Sequence, residues 1–510
     1  MIRFSGLIMA SISVAPKYGL DRKAYLNLCI VLTLLAVALV TRAGHFGEPF
    51  LYYDEDFYLL VADRMWHGAL PYVDIWDRKP ILLFLIYAAL RPLSPDGIVA
   101  YQIGAALFAT MTAFVMVLIA WRFANLRGAW LAGIAYLLYL PVLRGDGGQS
   151  AVFYNLFLAL GALEVLRADE PLDAAGFRRH ALYSMVWAGL AIQVKYTAAI
   201  DGCAFGLWLI VLMRRNGASH ASIAAQAGIW IMAALAPTLL AAGVYAAMGH
   251  GQAFVEANFL SAFQRHQPAD FPAADVLWLS GMKLAPLLFV AAFSLPLLIR
   301  RRAAGAPLAF LLLWTIFAIA DFFAIGNYFD HYALPMTLPM MVLCAPLLGT
   351  PVGGVAGMAL FGWAALLAMN FFSTTTRQAH EQGVAAMVEA ARPYAAQGCI
   401  YMHDGPVIVY TLTQSCLPTR YPFPAHLAEP SEAGATHAIS SMADLIASRP
   451  SAIFVVDRPP APQTPTGAML DDAIARGYRR VATVPDVIPG HRQGLYARKD
   501  LLAPQKDHAE

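Results

Sequence analysis

The chain has 510 residues, 59% hydrophobic and only 13% charged, with a formal net charge of +2. A soluble domain is nearer a quarter charged, and no soluble core could bury so many apolar runs of bilayer-spanning length, about 20 residues. The composition therefore sets aside soluble classes and implies a polytopic α-helical membrane protein, with the lipid bilayer as its surroundings and no nucleic-acid partner.

In chain order, residues 1–23 contain a short apolar patch that mimics a signal peptide. Lys17, Arg22 and Lys23 immediately before the first strong span favour an uncleaved cytoplasmic tail. The first span lies within Ala24–Arg42. A charged first loop, 45–79, follows. Its densest part, Tyr52–Pro80, gathers Asp54, Glu55, Asp56, Asp63, Arg64, Asp74, Asp77, Arg78 and Lys79 between long apolar segments. Residues 80–90 are apolar but too short for a perpendicular crossing. Further spans are expected at 98–121, 128–143, 150–166, 181–199, 201–213, 222–248, 275–298, 306–325, 332–349 and 352–372. If 80–90 dips into the bilayer without crossing, five basic clusters fall on one side: Lys17/Arg22/Lys23, Arg122/Arg127, Arg167/Arg178/Arg179, Arg214/Arg215 and Arg300/Arg301/Arg302. The positive-inside rule makes that side cytoplasmic. The result is eleven crossings within a range of about 11–13, with the N-terminus cytoplasmic and the C-terminus periplasmic, in the inner (plasma) membrane.

From about Ser373 the chain becomes polar. Helix is expected at Ala379–Ala391, Ser440–Ala447 and Thr466–Arg476. Strands are expected at 399–404, 452–457, Tyr478–Val484 and Gly494–Arg498. The alternation indicates a small extracytoplasmic α/β domain over 373–510. It lacks a glycine-rich phosphate loop. The five cysteines show no metal-ligand spacing. Cys399 and Cys416 can form a disulfide if this domain is extracytoplasmic, or remain unpaired.

Adjacent carboxylates beside a membrane surface are costly to desolvate and repel one another. One of Asp54, Glu55 and Asp56 can act as a base toward an acceptor, and another can orient a cation or hold Mg²⁺ or Mn²⁺. Arg78 and Lys79, where the chain re-enters the membrane, suit a phosphate. The plainer alternatives are a solvated loop and basic side chains that snorkel. Tyr58, Trp66, Tyr72 and Trp76 are interfacial aromatics, with sugar stacking as the alternative.

These residues carry a resemblance. Asp54-Glu55, then L-P-Y-x-D at Leu70–Asp74, then D-x-K-P at Asp77–Pro80, resemble the first extracytoplasmic loop of class C glycosyltransferases. The relevant branch includes the protein O-mannosyltransferases and the lipid A aminoarabinose transferase. Gly189–Ala199 (GLAIQVKYTAA) and Tyr328–Pro339 (YFDHYALPMTLP) resemble later segments of that family. The resemblance covers residues 50–345. It implies a polyprenyl-phosphate-linked monosaccharide donor and inverting transfer to an envelope glycan (such as lipopolysaccharide core), a glycolipid or a protein. No cofactor is required. Asp54, with Glu55, takes the catalytic place. Lys79, Arg78 and Lys195 take the donor phosphate, and Asp56, Asp74, Asp77, His331 and Tyr328 the substrate. One departure is that aminoarabinose enzymes carry Glu where Arg78 stands here. Glu256, Arg265, His266, Asp146, Asp201 and Arg420 are lower-ranked candidates on the same side. Two other classes remain open: a transporter or flippase of lipid-linked sugars, and a non-catalytic scaffold.

Overall fold

The structure, a computed structural model, describes residues 22–264, 272–300, 305–371, 374–457 and 464–502. Residues 1–21 of the expected cytoplasmic tail, with Lys17, lie outside the described residues, as do Arg265, His266, Arg301 and Arg302, whereas Arg22 and Lys23 open the first helix.

The membrane region begins with α1 (Arg22–Val40), α2 (Tyr53–Trp66), α3 (Ile81–Leu90) and α4 (Ile98–Ala120). It continues through α5 (Leu126–Tyr139), α6 (Ser150–Ala168), α7 (Ala174–Ile192), α8 (Ala199–Arg215) and α9 (His220–Ala247). The last four helices are α10 (Ala273–Arg300), α11 (Gly305–Ala324), α12 (Thr337–Leu348) and α13 (Pro351–Phe371). Helix starts follow from local chemistry. Asn125, Asp173 and Ser219 cap α5, α7 and α9 by accepting from the backbone N–H three residues on. Among the described residues, eight helices are long and apolar enough to cross a membrane. The chain is a multi-pass membrane protein. α1, α3 and α12 are shorter apolar helices.

The connections sort onto two faces. On one, Arg42 donates to the Gly145 carbonyl at 2.7 Å, Tyr196 to Asn258 at 2.9 Å and Tyr245 to the Pro71 carbonyl at 3.1 Å. On the other, Arg122 pairs with Glu170, and Asn125 donates to the Gly349 carbonyl at 3.1 Å. α3 begins and ends on the first face. The Leu82 N–H donates to the Gln193 carbonyl at 3.0 Å, while the next helix, α4, starts beside Gly47, whose N–H donates to Gln102 at 2.8 Å.

Two expectations need correction. The charged stretch is not an open loop, because Tyr53–Trp66 is helical and its Glu55, Asp56 and Asp63 are buried. The helix is tied to α3 by Asp63, which accepts from Arg91 at 2.8 Å, and by Trp66, which donates to the Ala88 carbonyl at 2.8 Å. The second correction concerns the span expected at 181–199. α7 instead covers Ala174–Ile192, so it starts before Arg178 and Arg179 and stops short of Lys195. Lys195 is extended (φ −154°, ψ 126°) in the break before α8, not within a helix.

The C-terminal domain opens with α14 (Thr374–Ala395) and β1 (Ile400–Met402), followed by α15 (Ile408–Thr413), α16 (Ala438–Ala447) and β2 (Ala452–Val456). It ends with α17 (Pro465–Gly477), β3 (Tyr478–Pro485) and β4 (Arg492–Arg498). The sheet order is β1-β2-β4-β3. β1 and β2 are parallel, whereas β4 is antiparallel to both β2 and β3. Cys399 and Cys416 form a disulfide.

Candidate active site

α2 turns its three consecutive acids in three directions, since successive helical side chains diverge by about 100°. Asp54 faces the space beside Lys79, with Oδ1 4.0 Å from Nζ and side chains 30% and 24% exposed. Glu55 is fully buried against Gly147 and Gly148. Burial, countered in part by the Gly148 backbone N–H, raises its pKa to about 8. Asp56 turns toward the C-terminal domain and accepts from the Ile408 N–H at 3.0 Å. Burial holds its pKa well above the usual carboxylate range.

The loop after α2 is ordered by its own polar groups. Asp74 accepts from the Leu70 N–H at 2.7 Å and Asp77 from the Arg78 N–H at 2.6 Å. Tyr72 takes a positive φ of 69° and donates through its hydroxyl to the Lys79 carbonyl at 2.8 Å. Lys79 is thereby presented over the Tyr58 ring, 5.3 Å from its centre. Burial opposes its charge, but Tyr58, Asp77 and Asp54 outweigh it and raise its pKa. Arg78 points elsewhere and pairs with Glu432.

A second lysine arrives from the break between α7 and α8. Lys195 is buried, 4.1 Å from the centre of the Tyr332 ring. Burial lowers its pKa, while Tyr332 and Asp321 favour the charged form. The Leu82 N–H donates to the Gln193 carbonyl at 3.0 Å and so sets the two lysine-bearing segments side by side, where Lys79 and Asp54 act electrostatically on Lys195. Two like charges beside one another, with a carboxylate at their side, are suited to an anion with a neighbouring nucleophile.

The other candidates from the sequence lie among further polar groups, of which Arg144, Lys283, Asp321, His45 and Glu48 were not singled out in it. His331 packs edge-on against Tyr332, and Asp330 accepts from its backbone N–H at 2.9 Å. Burial lowers the His331 pKa. Asp330 also receives Lys283 and Arg144, the latter at 3.3 Å, and these charges with His331 hold its pKa well down despite burial. Tyr328 instead gives its carbonyl to the Ser280 hydroxyl at 2.7 Å, and its ring packs on Phe322 and Phe323. Asp146 accepts from Tyr52 at 3.1 Å and lies 3.1 Å from His45, which contacts Glu48 at 3.0 Å. Burial opposes the charge on His45, yet Asp146 and Glu48 raise its pKa to about 9. Asp201 accepts from Trp314 at 2.8 Å within the membrane. Glu256 accepts from Gln252 at 2.7 Å. Arg420 donates to the Tyr72 carbonyl. The signal for Lys283 and Asp321 was present in the sequence, since an ionisable residue within an apolar span implies a polar partner or site.

Among the described residues, no three His, Cys, Asp or Glu side chains are grouped as metal ligands. No protein-family model and no curated protein matches the chain by sequence. Solved structures do match. ArnT from Cupriavidus metallidurans in the apo state aligns over 95% of this chain and 100% of its own, with TM-score 0.62 and 15% identity. The same protein bound to undecaprenyl phosphate aligns over the same shares with TM-score 0.61 and 15% identity. An Archaeoglobus fulgidus oligosaccharyltransferase in the apo form matches more weakly, over 85% of this chain and 70% of its own, at TM-score 0.48 and 12% identity. The architecture implied by the sequence motifs is the one found, from the first membrane helix to the terminal sheet: the chain has the class C glycosyltransferase fold.

Proposed function

We propose that the protein transfers one monosaccharide from a polyprenyl-phosphate-linked donor to an acceptor on the extracytoplasmic face, with inversion. The observation that carries this reading is the convergence of Asp54, Lys79 and Lys195, brought from three separate segments to one polar space on one face of the membrane region. The donor phosphate sits between the two lysines. Asp54 takes the proton of an acceptor hydroxyl as its oxygen attacks the anomeric carbon. The bond from that carbon to the phosphate oxygen breaks, and the polyprenyl phosphate leaves with the bonding electrons. The lysines stabilise that developing charge in a partly desolvated site. The proton on Asp54 is then lost to water.

The orientation belongs to the same proposal. The face with Arg122, Arg167, Arg178, Arg179, Arg214, Arg215 and Arg300 is cytoplasmic by the positive-inside rule. The opposite face, with the site and the C-terminal domain, is then periplasmic. The disulfide suits that compartment. The acceptor belongs to the class of envelope glycans, glycolipids or proteins. A flippase is less well supported, because the ionisable cluster lies at one face and transporter sites lie near the bilayer midplane.

Asp54→Asn tests the assignment. It retains the side-chain shape and removes the base. Transfer of sugar from a polyprenyl-phosphate donor in supplied membranes is expected to fall about 100-fold or more, within the range for removal of a general base. Wild-type rates in this variant would refute the catalytic role.

A further inference from the structure

Lys79 lies on a loop that the C-terminal domain grips at two points. Arg78, its neighbour, directs both terminal nitrogens to the Glu432 carboxylate, with Nη1 to Oε1 at 2.9 Å. The same guanidinium lies 5.3 Å from the centre of the Trp76 ring. The Trp76 ring packs on His426 at 4.8 Å and Tyr421 at 5.6 Å, and the Trp76 backbone N–H donates to the Arg420 carbonyl at 2.8 Å. Arg420 returns a bond from its guanidinium to the Tyr72 carbonyl. Tyr72 in turn donates to the carbonyl of Lys79. A continuous path therefore runs from the C-terminal domain to the backbone of Lys79.

We propose that Glu432 and Arg420 are positioning residues, through which the C-terminal domain latches the 72–80 loop and sets Lys79 opposite Lys195 for the donor phosphate. The inference rests on the transferase reading above. A lysine is a point charge on a flexible stem, so its value to a phosphate depends on where its backbone is held. Without an anion, Lys79 and Lys195 repel one another. The latch opposes that repulsion and keeps the loop ready. A bidentate arginine–carboxylate pair gives such a contact direction as well as strength. The pairing also redefines Arg78, whose charge is taken by Glu432 and not by the donor. Domain docking and donor binding are then linked: each strengthens the other by the same factor.

Binding of undecaprenyl phosphate to the full-length detergent-solubilised protein tests this, together with donor KM and kcat. Glu432→Arg and Arg78→Glu are each expected to weaken binding and raise donor KM about 10- to 100-fold, the range for residues that orient a ligand rather than touch it. kcat at saturating donor should change far less. The double swap, Arg78→Glu with Glu432→Arg, should recover most of the loss. If Arg at 432 disturbs folding, Glu432→Gln supplies a milder loss, read the same way. Unchanged binding in the single variants would overturn the latch. So would a swap no better than the worse single variant, because an Arg78 that contacts phosphate itself cannot be replaced by Glu. Wild-type protein that does not bind undecaprenyl phosphate defeats the transferase reading and the latch with it. Wild-type binding with no recovery in the swap defeats the latch alone.

Discussion

At the scale of single residues, Glu55 shows how burial separates neighbours of the same chemistry. Its carboxyl has a pKa of about 8 in the folded chain, against an ordinary value of 4.5. The folded state therefore holds a proton that the unfolded state has already released between those values. The contribution to stability is complete below pH 4.5 and is lost as pH rises through 8. Glu55→Gln should match the wild type near pH 5 and unfold at a higher temperature near pH 9. Thermal scans at the two pH values measure the difference. The lysines and Asp54 were legible in sequence because charge is scarce in an apolar chain and needs a reason. The destinations of Glu55, Asp56, Asp74, Asp77 and Arg78 were not legible. They depend on partners about a hundred residues away or more, such as Gly148 and Glu432, or on turn geometry that becomes visible only once the chain is folded.

Among the elements, most membrane helices lie close to the apolar runs that announce them, and both α7 and α2 show where that signal fails. α7 includes arginines near its start, and it ends at Ile192 although no proline or glycine marks the break before α8. α2 carries so many acids that it reads as a loop, yet distant parts of the fold supply partners for Asp56 and Asp63. In the C-terminal domain the alternation of strand and helix indicated a small α/β domain but not the direction of strand pairing. β3 and β4 form an antiparallel hairpin, because only a short turn with Gly490 at φ 83° separates them. Helix contact itself rests on small residues. A Cβ at Gly128 of α5 would lie 2.2 Å from the Ala345 carbonyl of α12. Gly128→Val should destabilise the bundle by about 1–3 kcal/mol through overpacking. Its melting temperature in detergent reports the change, and an unaltered melt would show that α5 and α12 can separate at little cost.

For the whole molecule, the C-terminal domain is part of the machine and not an appendage. Arg64 of α2 donates to the Ser415 carbonyl, and the Ser415 hydroxyl oxygen accepts from the Ile400 N–H at 2.9 Å, next to the Cys399–Cys416 bridge. A bridge across 17 residues constrains the unfolded chain by about 3 kcal/mol. A reductant should lower the unfolding temperature of the wild type, while a Cys399→Ser/Cys416→Ser variant should start lower and ignore the reductant. Melts with and without the reductant check this. The link between Leu82 N–H and the Gln193 carbonyl has a different consequence. It ties the segment that bears Lys79 to the segment that bears Lys195 through main chain alone. Side chains on either strip can drift over generations, yet the spacing between the two positions is inherited with the backbone. On the proposed transferase reading, a lineage built on this frame could exchange one sugar or acceptor for another by rewriting contacts around the pair, without first reinventing the grip on phosphate.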